Sequence, residues 1–210
     1  MTRDEKICVL RKKVTESLGE YRANHVLSTE KEAARLATIY IPDKEYDVRI
    51  SALLHDITKE YNTEMQLQTF SDFGIIIDSV TLQSPKVFHS LSAPLIIERD
   101  FPEYATEEIL SAIRKHTAGS ADMSIFDCII YLADYIEPTR KFSDCETLRE
   151  YFWSGIASCC SEKEKLLHLY KTMVLSFDFT INNLIGEHSV IAPDTFSARN
   201  AFLMKISEEE

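Results

Sequence analysis

Apolar residues recur at spacings of three and four along almost the whole chain, a period that fits α-helix and not strand. Ile7, Leu10, Val14 and Leu18 mark a first helix, with Gly19 as its stop. A second runs from Tyr21 to Tyr40 on an Ala33, Leu36, Ala37 and Tyr40 stripe, with Pro42 beyond its end. Tyr46, Ile50, Leu53 and Leu54 make a third, and Asn62 or Thr63 caps a short one through Phe70. Phe73 to Leu82 is strand-like but has no partner strand, so it reads as loop. Ser84-Pro85 is a helix-start pair, and Pro94 is expected to break or kink the helix that follows. Thr106 starts another, carrying Ile109, Ala112 and Ile113. Ser124 to Ile136 is strongly apolar and reads as a buried central helix closed by Pro138. Amphipathic helices near 144–158 and 161–185 and a last one from about Asp194 to Met204 complete the chain. With 5 glycines, 6 prolines, no repeat and no low-complexity linker, the expectation is one all-α domain of about eight to ten helices.

A chain of 210 residues buries roughly 70% of its unfolded surface and needs no disulfide or zinc to hold a core. Cys8, Cys128, Cys145, Cys159 and Cys160 are odd in number and lack C-x-x-C spacing, so they read as reduced structural thiols. The 23 basic and 34 acidic residues leave a net charge of −11. That excludes generic electrostatic binding to nucleic acid or an anionic membrane, but not a small site for an anionic ligand. There is no membrane-length apolar run and no signal-peptide pattern, so the expected location is the cytoplasm.

The informative residues are histidines. His25 falls on the buried seam of its helix, where a satisfied core histidine is the commoner reading. His55 and Asp56 follow an apolar helical face directly. Adjacent helical residues diverge by ~100°, so they converge only on a point off a helix end or between helices, as a metal ion requires. Asp134 lies on the most hydrophobic helix, where a carboxylate is costly unless exposed near the helix end, paired or metal-bound. Together, H…HD…D on three helices offers nitrogen and oxygen ligands without thiolate. Such a set suits octahedral Fe²⁺, Mn²⁺, Co²⁺ or Mg²⁺ better than structural zinc. His168 and His188 belong to no motif and read as surface or helix-packing residues, and Trp153 reads as core.

The ordered blocks RANH (ending at His25), LLHDITKE, VFHS (His89), AIRKHTAG (His116), MSIFDCIIYLADYIEPTR and APDTFSARN carry a resemblance. It is to the HD superfamily of metal-dependent phosphohydrolases, within it to the YqeK-like branch of symmetrical diadenosine tetraphosphate hydrolases, and it spans about Tyr21 to Asn200. The resemblance implies one HD domain over residues 1–210, with a core at about 20–140 and helices 144–204 completing a nucleotide site. It implies His25, His55, Asp56 and Asp134 as metal ligands. It places His89 and His116 at the phosphates as catalytic or binding groups, with Asp56 also positioning water. Arg140, Thr195, Arg199 and Asn200 correspond to nucleotide-binding positions, and Lys59 is a further phosphate contact. The implied cofactor is a divalent transition metal, Fe²⁺ first, with Mn²⁺ or Co²⁺ as substitutes; one ion or two is left open.

The implied reaction cuts diadenosine tetraphosphate into two ADP. Another HD-type nucleotide phosphohydrolase, acting on a mono- or triphosphate, or a nucleotide sensor without turnover are the alternatives. The partner is an ADP-type nucleotide or dinucleoside polyphosphate, without nucleic acid or membrane. A homodimer is compatible with the helical surface but not required by it. Ser90 stands where the branch usually has glycine, Ala192 where it usually has histidine, and Pro94 is also unusual.

Overall fold

The computed structural model describes residues 1–209. The described residues form eleven α-helices, three single-turn 3₁₀ segments and no strand. In chain order the helices are α1 (Arg3–Ser17), α2 (Glu20–Tyr40), α3 (Glu45–Leu54), α4 (Thr63–Asp72), α5 (Ser79–Leu82) and α6 (Phe88–Asp100). They continue with α7 (Glu107–Lys115), α8 (Ile125–Ile136), α9 (Ser143–Ile156), α10 (Glu162–Gly186) and α11 (Pro193–Glu209).

Local chemistry sets many of the starts. Thr2 with Glu5, Ser124 with Asp127 and Ser161 with Glu164 form reciprocal capping boxes on α1, α8 and α10. Asn62, Asp78 and Thr106 each accept a backbone N–H, a cap worth ~1 kcal/mol. Two details depart from the sequence reading. Phe73 to Leu82 is loop only as far as Asp78, whose carboxylate caps the single turn α5; that turn carries the helix number past ten. Pro94 neither ends nor splits α6. It forgoes one backbone bond, but Ala93, Pro94, Ile96 and Ile97 are buried together, and tertiary packing outweighs the local penalty.

The centre is α8, buried through Phe126, Ile129, Ile130, Leu132, Ala133 and Ile136. α2 packs against α3 and α8, and α7 packs between α6 and α8. Glu30, 1% exposed, joins three helices: Arg11 of α1 grips it through two bonds of 2.7 and 2.8 Å, and Arg49 of α3 donates at 2.9 Å. With three charged donors on one carboxylate, burying it is tolerable. α10 and α11 pair with each other and reach the centre through Met173, Phe177 and Phe202. The loop after α7 lies against them at Gly119, whose φ is +75°. A Cβ there would lie 2.6 Å from the Phe177 ring and 2.9 Å from the Ala198 Cβ, so only glycine fits.

The residues set aside as structural behave so. His168 stacks on Phe152 and its Nε2–H donates to the Phe152 carbonyl at 2.9 Å. His188 is exposed beyond the end of α10. Trp153 packs against the core and donates to Glu32 at 2.7 Å. The five cysteines are free thiols, Cys128 and Cys145 buried.

Candidate metal centre and its cavity

Helix ends build the site. α3 stops at Leu54, so His55 and Asp56 lie in the turns that follow, closed by Ile57 N–H to Leu54 O and Lys59 N–H to Asp56 O. Past the helix end the two neighbours no longer diverge. His89 is the second residue of α6, His116 caps the C-terminus of α7, and Asp134 is in the last turn of α8. His25 alone comes from mid-helix, on the face of α2 that packs on α3 and α8.

The six side chains form one cluster. His25 Nε2 is 2.9 Å from Asp134 Oδ1 and 3.6 Å from Asp56 Oδ2. His55 Nε2 is 3.5 Å from Asp56 Oδ2 and 3.6 Å from Asp134 Oδ1. His89 and His116 meet at 3.0 Å between their Nε2 atoms, and approach Asp56 Oδ1 at 3.3 and 3.6 Å. Two groups, His25–His55–Asp134 and His55–Asp56–His116, hold all their ligand atoms within 4.8 Å of one another.

Each inner ring is oriented from behind. His55 Nδ1 lies 2.7 Å from the Ala52 carbonyl, and His116 Nδ1 lies 2.6 Å from that of Ile113. Those carbonyls lie in last turns, where no downstream helical N–H claims them. His25, in mid-helix, has no such carbonyl. Its Nδ1 instead meets Glu137 Oε1 at 3.0 Å, a carboxylate held in turn by the Thr139 N–H at 2.6 Å and hydroxyl at 2.5 Å. With N–H on Nδ1, every Nε2 lone pair faces the carboxylates. The Nε2 atoms of His25 and His55 are buried without any hydrogen-bond partner.

Such orphaned acceptors beside two carboxylates repel unless a cation joins them, so the residues present fit a divalent ion. Burial opposes a proton on His25, but Asp134 and Glu137 beside its ring lift its pKa to about 9. Burial pushes the Asp56 and Asp134 carboxyls up, yet the imidazoles and cations facing them win and hold both well below the usual range. For Asp56 the first of these is His55; for Asp134 it is Arg140. Burial drives His89 well down, and His116 and Lys59 down as well.

Two guanidiniums flank the cluster. Arg22 donates to Asp56 Oδ2 and Arg140 to Asp134 Oδ1, each at 2.5 Å. Arg149 donates to the carbonyls of Ile136, Glu137 and Arg140 and so holds the turn that carries Glu137 and Arg140. Lys59 Nζ lies 3.1 Å from His89 Nε2. A cavity of about 350 Å³ opens onto Lys59, His89, His116, Asp134 and Arg140.

The last block does not join them. Thr195 lines an adjoining cavity instead, the Arg199 guanidinium is bound to Asp178, and Asn200 is exposed. α11 turns Thr195, Ala198 and Phe202 inward, so residues 199 and 200 fall on other faces. Of the departures, Ser90 is buried with its hydroxyl on the Val87 carbonyl, and Ala192 borders the adjoining cavity. Sequence reasoning gave no role to Arg22, Glu137 or Arg149. The first two stood inside quoted blocks, RANH and EPTR, while Arg149 carries no signal beyond its charge.

A model of the HD domain matches residues 22–139. A Halalkalibacterium halodurans protein named "Bis(5'-nucleosyl)-tetraphosphatase, symmetrical" is 27% identical over 90% of this chain and 92% of its own. A Bacillus subtilis protein of the same name is 26% identical over 95% and 97%. A crystal structure described as a predicted HD superfamily hydrolase involved in NAD metabolism, from Clostridium acetobutylicum, superposes with TM-score 0.80 at 28% identity over 98% of both chains. No helix among the described residues is long and apolar enough to cross a membrane.

Proposed function

Because the chain belongs to the HD-domain family, we propose that it is a metal-dependent hydrolase that cuts dinucleoside polyphosphates symmetrically, diadenosine tetraphosphate giving two ADP. The observation that carries the metal dependence is the pair of buried, partnerless Nε2 atoms of His25 and His55 facing Asp56 and Asp134. These four residues would hold the ion: Fe²⁺ first, with Mn²⁺ or Co²⁺ as substitutes, since the donors are imidazole and carboxylate without thiolate. When bound, such an ion supplies Lewis-acid polarisation of a phosphate oxygen and an acidified water. The choice of substrate rests on the two relatives named for this reaction, each matched over nine-tenths of its length or more.

The protein's own groups divide the remaining work. Arg140 is anchored by one Nη on Asp134 and borders the cavity, where its planar fork suits a phosphate. Lys59 adds a second positive group on the same wall. Asp56, held anionic, accepts from Arg22 and lies within reach of His89, so it can position a water beside the pair of histidines. His89 and His116 share one proton-accepting junction at Nε2, suited to passing a proton between water and the departing ADP oxygen. Thr180 of α10 lines the same cavity, which supports reading the C-terminal helices as part of one domain with the metal centre. The net charge of −11 supports a small anionic substrate over nucleic acid.

The test is chromatography of products from diadenosine tetraphosphate with Fe²⁺, Mn²⁺ or Co²⁺ supplied. ADP alone is expected. ATP with AMP, or no turnover with any of the three ions, overturns the assignment. Tight nucleotide binding by a wild type as inactive as His55→Ala would favour a sensor.

A further inference from the structure

The chain that follows α8 is poorly equipped to close it. Glu137, Pro138, Thr139 and Arg140 include no glycine for a left-handed cap. Pro138 has no N–H to give, and the Thr139 N–H is taken by the Glu137 carboxylate at 2.6 Å. The donors come from the next helix instead. Arg149 of α9, half-buried, donates from Nε to the Ile136 carbonyl at 2.5 Å. Its Nη2 donates to the Glu137 and Arg140 carbonyls at 2.7 and 2.9 Å. The Arg140 N–H closes the same turn on the Glu137 carbonyl at 3.2 Å. Three carbonyls thus converge on one planar fork, a geometry that a lysine ammonium does not match. The charge also faces the negative end of α8.

The turn so held carries two side chains of the site. Glu137 meets His25 Nδ1 at 3.0 Å, and Arg140 donates to Asp134 and borders the cavity. Both start from backbone that Arg149 fixes, while Arg149 itself lines no part of that cavity. A partner behind a metal-binding imidazole sets the ring's orientation and basicity, so a shift of this turn is felt at His25.

Building on the proposed function, in which His25 holds the ion and Arg140 meets phosphate, we infer that Arg149 is a positioning residue for both. Through the 136–140 turn it sets Glu137 against His25 and Arg140 against the cavity. One side chain outside the site thereby tunes ion affinity and phosphate affinity together.

Two double-mutant cycles, read by calorimetry on the full chain, test this. Co²⁺ is titrated into wild type, Arg149→Gln, Glu137→Ala and their double variant. Inorganic pyrophosphate is titrated into Mn²⁺-saturated wild type, Arg149→Gln, Arg140→Ala and their double variant. Arg149→Gln alone is expected to weaken each ligand about tenfold, the lower end for a group behind a metal ligand's partner. Once Glu137 is alanine, the further Co²⁺ loss should be under about twofold; once Arg140 is alanine, so should the further pyrophosphate loss. Arg149→Lys keeps the charge without the fork and should give the same pattern. It replaces the glutamine variant if circular-dichroism melting shows that one unfolded. A lowered Tm with both affinities unchanged makes Arg149 merely structural, and full losses persisting in either double variant show that it does not act through Glu137 or Arg140. Either result overturns the inference. Neither probe is the substrate, so a wild type that makes no ADP from diadenosine tetraphosphate overturns the proposed function while the two cycles still decide the role of Arg149.

Discussion

The ends of α3, α6, α7 and α8 and the face of α10–α11 use charged residues in opposite ways. At the first, His55, Asp56, His89 and His116 are buried, and the orienting nitrogens of His25, His55 and His116 are held by Glu137 and by carbonyls at the ends of α3 and α7. At the second, Arg199 is bound to Asp178 on the neighbouring helix and Asn200 faces outward. Burying unsatisfied acceptors is costly, so it persists where a ligand repays it; a surface ion pair asks for no such explanation. The difference teaches that the chain has concentrated its preorganisation on the ion and the phosphates, and has left the C-terminal helices to shape the apolar space beside them.

Substitutions separate the two regions. The largest effect is expected from the ligands themselves: His55→Ala or Asp134→Asn should lower kcat/KM for diadenosine tetraphosphate by ~10³-fold or more, measured by product chromatography. Activity within tenfold of wild type would remove the cluster from the chemistry. Next comes Glu137→Ala, which leaves the His25 Nδ1 without its partner. Co²⁺ affinity, followed by calorimetry, should fall ~10–100-fold, while His168→Ala, at the α9–α10 contact, should leave it unaltered.

Between the two regions, Arg140→Ala should cost ~10–100-fold in kcat/KM, as loss of a charged hydrogen bond to phosphate does. Arg199→Ala, whose partner is Asp178, should change it by less than about twofold. Equal losses would erase the distinction between the two regions. The smallest effect on chemistry is expected at the seam: Gly119→Ala collides with Phe177 and Ala198. It should destabilise by ~2 kcal/mol and lower Tm by roughly 4–8 °C, read by thermal unfolding.

Much of this was legible beforehand for local reasons. The caps and apolar period of α8 depend on neighbours within one or two turns, and its burial followed from Phe126 to Ile136 being almost wholly apolar. Asp134 stood out because a carboxylate on an apolar helix is costly without a partner, and His55 and Asp56 because they stand side by side after an apolar face; His25, alone a core histidine, joined them only as part of H…HD…D. Pro94 misled because its local penalty is overruled by burial. The placement of the block around Arg199 was not legible, because a motif records which residues occur together, not which face of α11 carries each.

By itself the sequence determined an all-helical chain and the chemical type of its donors, since helical period and cost of burial are properties of short segments. The tertiary structure alone decided what those donors do. Glu137 reaches His25 across 112 positions of sequence, Arg22 reaches Asp56 across 34, and two cavities meet at Pro85, Lys86, Thr117 and Thr180. The direction in which a buried imidazole offers its lone pair depends on an acceptor brought by another helix, and no local pattern encodes that arrival.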